Sequence, residues 1–179
     1  MNRCVARLLL PWLAIVASPL VAQAPAPPAT LEALTGEIEA ATAERRWAEA
    51  ILLGQRALAI EEAAKGANDP EIAGTLMLIA GWMRELDRHA EAEPLLRRAL
   101  LIFEQGYGDG HEFTISAANN LAATLEALGR LNDANKIYAL TLDNMVKRYG
   151  PSHRLTAMST SNLAFNLARQ GRYQEAQPL

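Results

Sequence analysis

Cysteine is almost missing: Cys4 is the sole one in 179 residues. It stands at the extreme N-terminus, so the rest of the chain carries no thiol, and disulfides, thiolate catalysis and cysteine-metal centres are excluded from it. Aromatic residues are few, at 6%. Excess positive charge is lacking too. The formal net charge is −3, and without residues 1–24, which hold Arg3 and Arg7, 15 basic side chains face 20 acidic ones. A surface with that balance does not neutralise phosphates, so nucleic acid is excluded as a ligand. Catalytic motifs are likewise lacking. Ser, His and Asp occur but never in a nucleophile elbow. Gly106-Tyr107-Gly108-Asp109-Gly110 has neither a preceding strand nor a following Lys-Ser/Thr and reads as a flexible turn rather than a phosphate loop. His111 and His153 sit in one class of turn and His89 in another, with no recurring carboxylate cluster. The expectation is a non-enzyme with no metal and no cofactor.

The N-terminus has the layout of a secretory signal: Arg3 and Arg7, then the uncharged apolar run Leu8 to Ala22, 15 residues long, then small residues at Ala22-Gln23-Ala24. Residues 1–24 are read as the signal and 25–30 as a stiff linker rich in proline and alanine, with Pro25 following the cut. This places the protein in the periplasm or outside the cell. The run is short for a spanning helix, so no membrane role is expected beyond anchoring by an uncleaved signal.

What the chain has is repetition. Gly171-Arg172-Tyr173-Gln174-Glu175-Ala176 is preceded by Arg45-Arg46-Trp47-Ala48-Glu49-Ala50, Asp87-Arg88-His89-Ala90-Glu91-Ala92 and Gly129-Arg130-Leu131-Asn132-Asp133-Ala134, with the arginines always 42 residues apart. A fixed period of this size marks a solenoid, whose units bury their apolar faces by stacking. Apolar residues recur at three and four, and short links make the helices antiparallel pairs. The later pairs are predicted over about 70–86 with 89–105, 112–128 with 131–148, and 154–170 with 173 onward. At the 42-residue interval Ile79, Leu121 and Leu163 align, as do Ala80, Ala122 and Ala164, then Met83, Leu125 and Leu167. In the second helices Ala50, Ala92, Ala134 and Ala176 align, followed by Leu53, Leu95, Ile137 and Leu179. Gly66, Gly108 and Gly150 suit helix ends, and Asp69 or Ser152 suit N-caps. Glu37, Ile38 and Gly54 depart from the pattern, which predicts a looser first unit. The last pair is incomplete at Leu179, an end expected to expose apolar surface and to favour self-association.

These residues resemble tetratricopeptide repeats of the 42-residue kind found in kinesin light chains. The resemblance covers 31–179, about three and a half units, and implies an all-α fold, a right-handed superhelical solenoid of antiparallel helix pairs. It also implies that the first helices line a concave groove for a protein or peptide ligand. Removing the packing set leaves Gly74, Met77, Leu78, Gly81 and Arg84 in the second unit and Ser116, Asn119, Asn120, Ala123 and Glu126 in the third. In the fourth it leaves Met158, Ser161, Asn162, Phe165 and Arg169. The predicted binding residues are Asn119, Asn120, Ser161, Asn162, Phe165 and Arg169. An asparagine amide offers two donors and an acceptor to a peptide backbone, and Asn120 and Asn162 are 42 apart. The expected function is an exported interaction scaffold. The alternative is the docking portion of a longer enzyme such as a peptidase.

Overall fold

The computed structural model describes residues 30–177. They form α1 (Leu31–Ala43), α2 (Trp47–Lys65), α3 (Pro70–Glu85), α4 (His89–Tyr107), α5 (Glu112–Ala127), α6 (Leu131–Tyr149), α7 (Arg154–Arg169) and the short α8 (Tyr173–Ala176). Among the described residues there is no strand. Each helix packs chiefly on its neighbours in sequence, so stability accumulates from one unit to the next. The helix limits fall within about two residues of those expected from the period. The predicted signal, the linker apart from Thr30, and Leu179 lie outside the described residues. Thr30 caps α1, accepting a hydrogen bond from the Ala33 N–H.

The repeated phrase marks the turn inside each pair. Arg46, Arg88, Arg130 and Arg172 are the residues just before α2, α4, α6 and α8. Their backbone N–H groups reach back to Ala41, Met83, Leu125 and Leu167, closing the preceding helix with the six-to-one bond of a Schellman turn. That turn needs a positive φ one residue earlier, found at Arg45 (+56°), Asp87 (+56°), Gly129 (+76°) and Gly171 (+74°). Each arginine side chain then pairs with the acid three residues on: Glu49, Glu91, Asp133 or Glu175. The recurring Arg-x-x-Glu/Asp is therefore a local clasp, and its acids sit where the positive end of the helix dipole favours them.

Between pairs the chain turns differently. His111 and His153, rather than Ser152, cap α5 and α7: their Nδ1 atoms accept from the N–H of Phe113 at 3.3 Å and of Leu155 at 3.2 Å. Ser152 falls one residue too early, within the turn. Each histidine ring stacks on a tyrosine, Tyr107 at 4.5 Å and Tyr149 at 4.7 Å. The hydroxyls of Thr114 and Thr156 donate to the carbonyls of Gly108 and Gly150, both at 2.8 Å. Asp69 plays the capping part for α3, as expected.

The predicted packing residues form the core. Ile79, Ala80, Met83, Leu121, Ala122, Leu125, Leu163 and Leu167 are buried, as are Ala50, Ala92 and Ala134. Gly54 overturns its expected role. A Cβ at that position would lie 2.7 Å from the Trp82 ring and 2.9 Å from Ile79, so Gly54 makes room for Trp82 to dock α3 on α2. What reads in the sequence as a helix-weakening residue is the small half of a tight contact.

Candidate functional site: a cleft along the first helices

The first turns of α3 and α5 stand side by side over the C-terminal end of α4, and the space between them is a cleft of about 580 Å3. From α3 it takes Gly74, Met77 and Leu78; from α4 it takes Phe103 and Tyr107; from α5 it takes Phe113 and Asn120. Three of these residues, Gly74, Met77 and Leu78, are ones the spacing leaves outside the packing set of α3. Leu78 is 57% exposed and Phe113 47%, amounts of apolar surface that a side chain needs only if something is to cover it. Phe103, Tyr107, His111 and Phe113 form one aromatic cluster, with ring centroids 4.5 to 5.9 Å apart. Phe103 is buried and fixes the others. The wall of the cleft is therefore rigid, and only its outer rings are open to solvent.

Asn120 stands at the inner end. Its Oδ1 accepts from Arg84 Nη1 at 3.0 Å, tying α5 to α3 and leaving the amide N–H groups for another acceptor. Of the six predicted binding residues, Asn120 is the one that lines this cleft. Asn119 is half-buried, with its Oδ1 unpaired within the protein. Ser161 donates to the Ala157 carbonyl at 3.0 Å, and Asn162 is half-buried on the same face of α7. Phe165 is 64% exposed.

Arg169 pairs with Glu126 at 3.3 Å and borders a separate polar cleft with Arg130 and Lys136. Glu126 is 8% exposed and also accepts from Asn166 Nδ2 at 2.6 Å. Asn166 in turn accepts from Gln170 at 2.6 Å, so these polar groups bond one another across α5 and α7. Burial, with the Glu126 charge adding to it, pushes the Tyr138 hydroxyl up to about 12.

Phe103, Tyr107 and Phe113 do not follow from the search for first-helix residues, because two of them belong to α4. A signal was available: they and His111 crowd into eleven residues of an otherwise aromatic-poor chain. Among the described residues no group of three His, Cys, Asp or Glu side chains could hold a metal, and no helix is long and apolar enough to cross a membrane.

Comparison with known proteins agrees with the fold. The tetratricopeptide repeat family model matches residues 71–145 and again 114–179. No curated protein matches the chain. Among solved structures, it is similar to a Podosopora anserina kinesin light chain protein with nearly identical TPR-like repeats: 21% identity, TM-score 0.75, covering 83% of this chain and 70% of that one. It is also similar to BtubC (BKLC) from P. vanneervenii, with 21% identity and a TM-score of 0.66 over 82% of this chain and 59% of that one. The apo form of RapI gives 15% identity and a TM-score of 0.67, over 82% and 52%.

Proposed function

The chain belongs to the tetratricopeptide repeat family, and from that premise we propose that it is an exported protein-interaction scaffold whose α3–α5 cleft receives an apolar side chain of a peptide or partner helix. The observation that carries this reading is the cleft itself, a concave apolar surface of fixed shape with Leu78 and Phe113 open at its rim. The Asn120 amide at its inner end supplies hydrogen bonds to a main chain, which gives affinity without demanding a particular sequence. Asn119, Ser161, Asn162, Phe165 and Arg169 extend the contact toward α7.

The test is selection of peptides from a random library on the full chain. Retained sequences should share one large apolar residue, and Leu78→Asp should abolish their retention while circular dichroism stays unchanged. Retention that survives Leu78→Asp refutes the assignment of the cleft. Export rests on Arg3, Arg7 and the Leu8 to Ala22 run. N-terminal sequencing after cell fractionation should find a chain that starts near Pro25 outside the cytoplasm, whereas intact Met1 in the cytoplasm contradicts it.

A further inference from the structure

A second cleft, of about 540 Å3, lies at the other end of α3, between the α1–α2 turn and the α3–α4 turn. Its lining includes Thr42, Trp47, Trp82, Arg84 and His89. Five side-chain polar atoms among the described residues are buried without a protein partner, and three of them belong to this lining: Thr42 Oγ1, Arg84 Nε and His89 Nδ1. Buried polar groups are nearly always bonded, so three unpaired ones around a single cleft mark a place built for something polar.

Charge says what that is. The guanidinium of Arg84 is half-buried, its one hydrogen bond goes to the neutral Asn120 amide, and among the described residues no carboxylate lies within ion-pair distance of it. A cation so placed calls for an anion, and a carboxylate matches the guanidinium geometry. The other ionised groups of the lining, Arg45 and Glu85, face each other at 3.7 Å and cancel. His89 has Nε2 turned to Asp87 at 3.6 Å. With the proton on that nitrogen, Nδ1 offers a lone pair to a donor. Trp47 and Trp82 supply apolar surface, with Arg45 resting 5.8 Å over the Trp47 ring.

We propose that this cleft binds a carboxylate borne next to an N–H donor and an apolar side chain, the chemistry shared by the last residue of a peptide and a free N-acyl amino acid. Arg84 and Thr42 donate to the carboxylate, His89 accepts from the N–H, and the two tryptophans flank the side chain. This does not rest on the reading of the α3–α5 cleft.

Trp47 and Trp82 are two of the chain's three tryptophans, so intrinsic fluorescence reports on the site directly. The full chain is titrated with N-acetyl-leucine, with N-acetyl-leucinamide, which lacks the charge, and with the peptide Gly-Gly-Gly-Leu. A saturable change with N-acetyl-leucine is expected, with the amide at least about tenfold weaker, the scale of a charge-assisted hydrogen bond. Thr42→Val should weaken N-acetyl-leucine about tenfold without altering helicity, and Arg84→Gln should do so by more. Leu78→Asp should leave the response unchanged, which separates this site from the other cleft. Tighter binding of Gly-Gly-Gly-Leu assigns the ligand as a chain end, and equal binding assigns it as a free acylated amino acid; either supports the site. An equal response to acid and amide, no saturable change, or indifference to both substitutions overturns it.

Discussion

Helices α1–α4 and helices α5–α7 bury different chemistry within one 42-residue frame. In the first group every buried side chain is apolar. In the second, Thr114, Thr124, Glu126, Thr156, Ser159 and Asn166 are buried beside the leucines. The contrast is clearest at two positions that face each other where one pair docks on the next. They hold Gly54 and Trp82 in the first interface, Leu96 and Thr124 in the second, and Tyr138 and Asn166 in the third, all of them buried. As one residue grows the other shrinks, so the spacing of the helices is kept while the contact changes from a ring over glycine to a polar network. Close packing explains the trade, because an interior tolerates neither a void nor an extra methylene cheaply.

The largest expected effect breaks that trade on one side only. Gly54→Leu should destabilise the protein by about 3 kcal/mol, since even a Cβ falls 2.7 Å from the Trp82 ring. Combining it with Trp82→Thr, the pairing of the next interface, should recover most of the loss in urea unfolding; no recovery means that the positions do not trade volume. On the polar side, Glu126→Ala should cost about 2 kcal/mol, because it leaves Asn166 and Arg169 without their buried acceptor. A loss under about 0.5 kcal/mol would show that the network is decorative.

Tyr138 sharpens the contrast through pH. Its hydroxyl is raised to about 12 by burial and by Glu126, whereas an unfolded tyrosine titrates near 10. The folded state therefore holds that proton more tightly. The stability this contributes is complete below about pH 10 and is lost as pH rises toward 12. Thermal melts of Tyr138→Phe across that window should fall less steeply than those of the parent chain, and parallel curves would contradict the assignment. The smallest effect is expected at the turns. Asp87 has a φ of +56° where later units have glycine, so Asp87→Gly should stabilise by about 0.5–1 kcal/mol, relief of left-handed strain outweighing the added freedom of the unfolded chain. A lower denaturation midpoint would mean that the aspartate side chain has a structural partner.

Much of this was legible in the sequence because the period carries it. The arginines at 46, 88, 130 and 172 located the turns, and the aligned alanines and leucines located the core. Period alone could not interpret a departure from it. Gly54 reads as a weak point until Trp82, 28 residues on, is seen lying over it. Ser152 reads as a cap by residue type, but His153 has the backbone geometry for it. The binding face was half legible. Met77, Leu78 and Asn120 follow from helical spacing, whereas Phe103 and Tyr107 reach the cleft from the second helix of their pair. The asparagine at 120 spends its carbonyl on Arg84, a partner 36 residues away that no local pattern indicates.

The account turns on where a ligand sits. The most direct measurement is backbone amide chemical-shift mapping of the full chain with a peptide selected from the library. The largest shifts should fall on Gly74 to Leu78, on Phe103 to Phe113 and at Asn120. Shifts confined to the outward faces of α2, α4 and α6, or to the turns at Gly66 and Gly150, would contradict it.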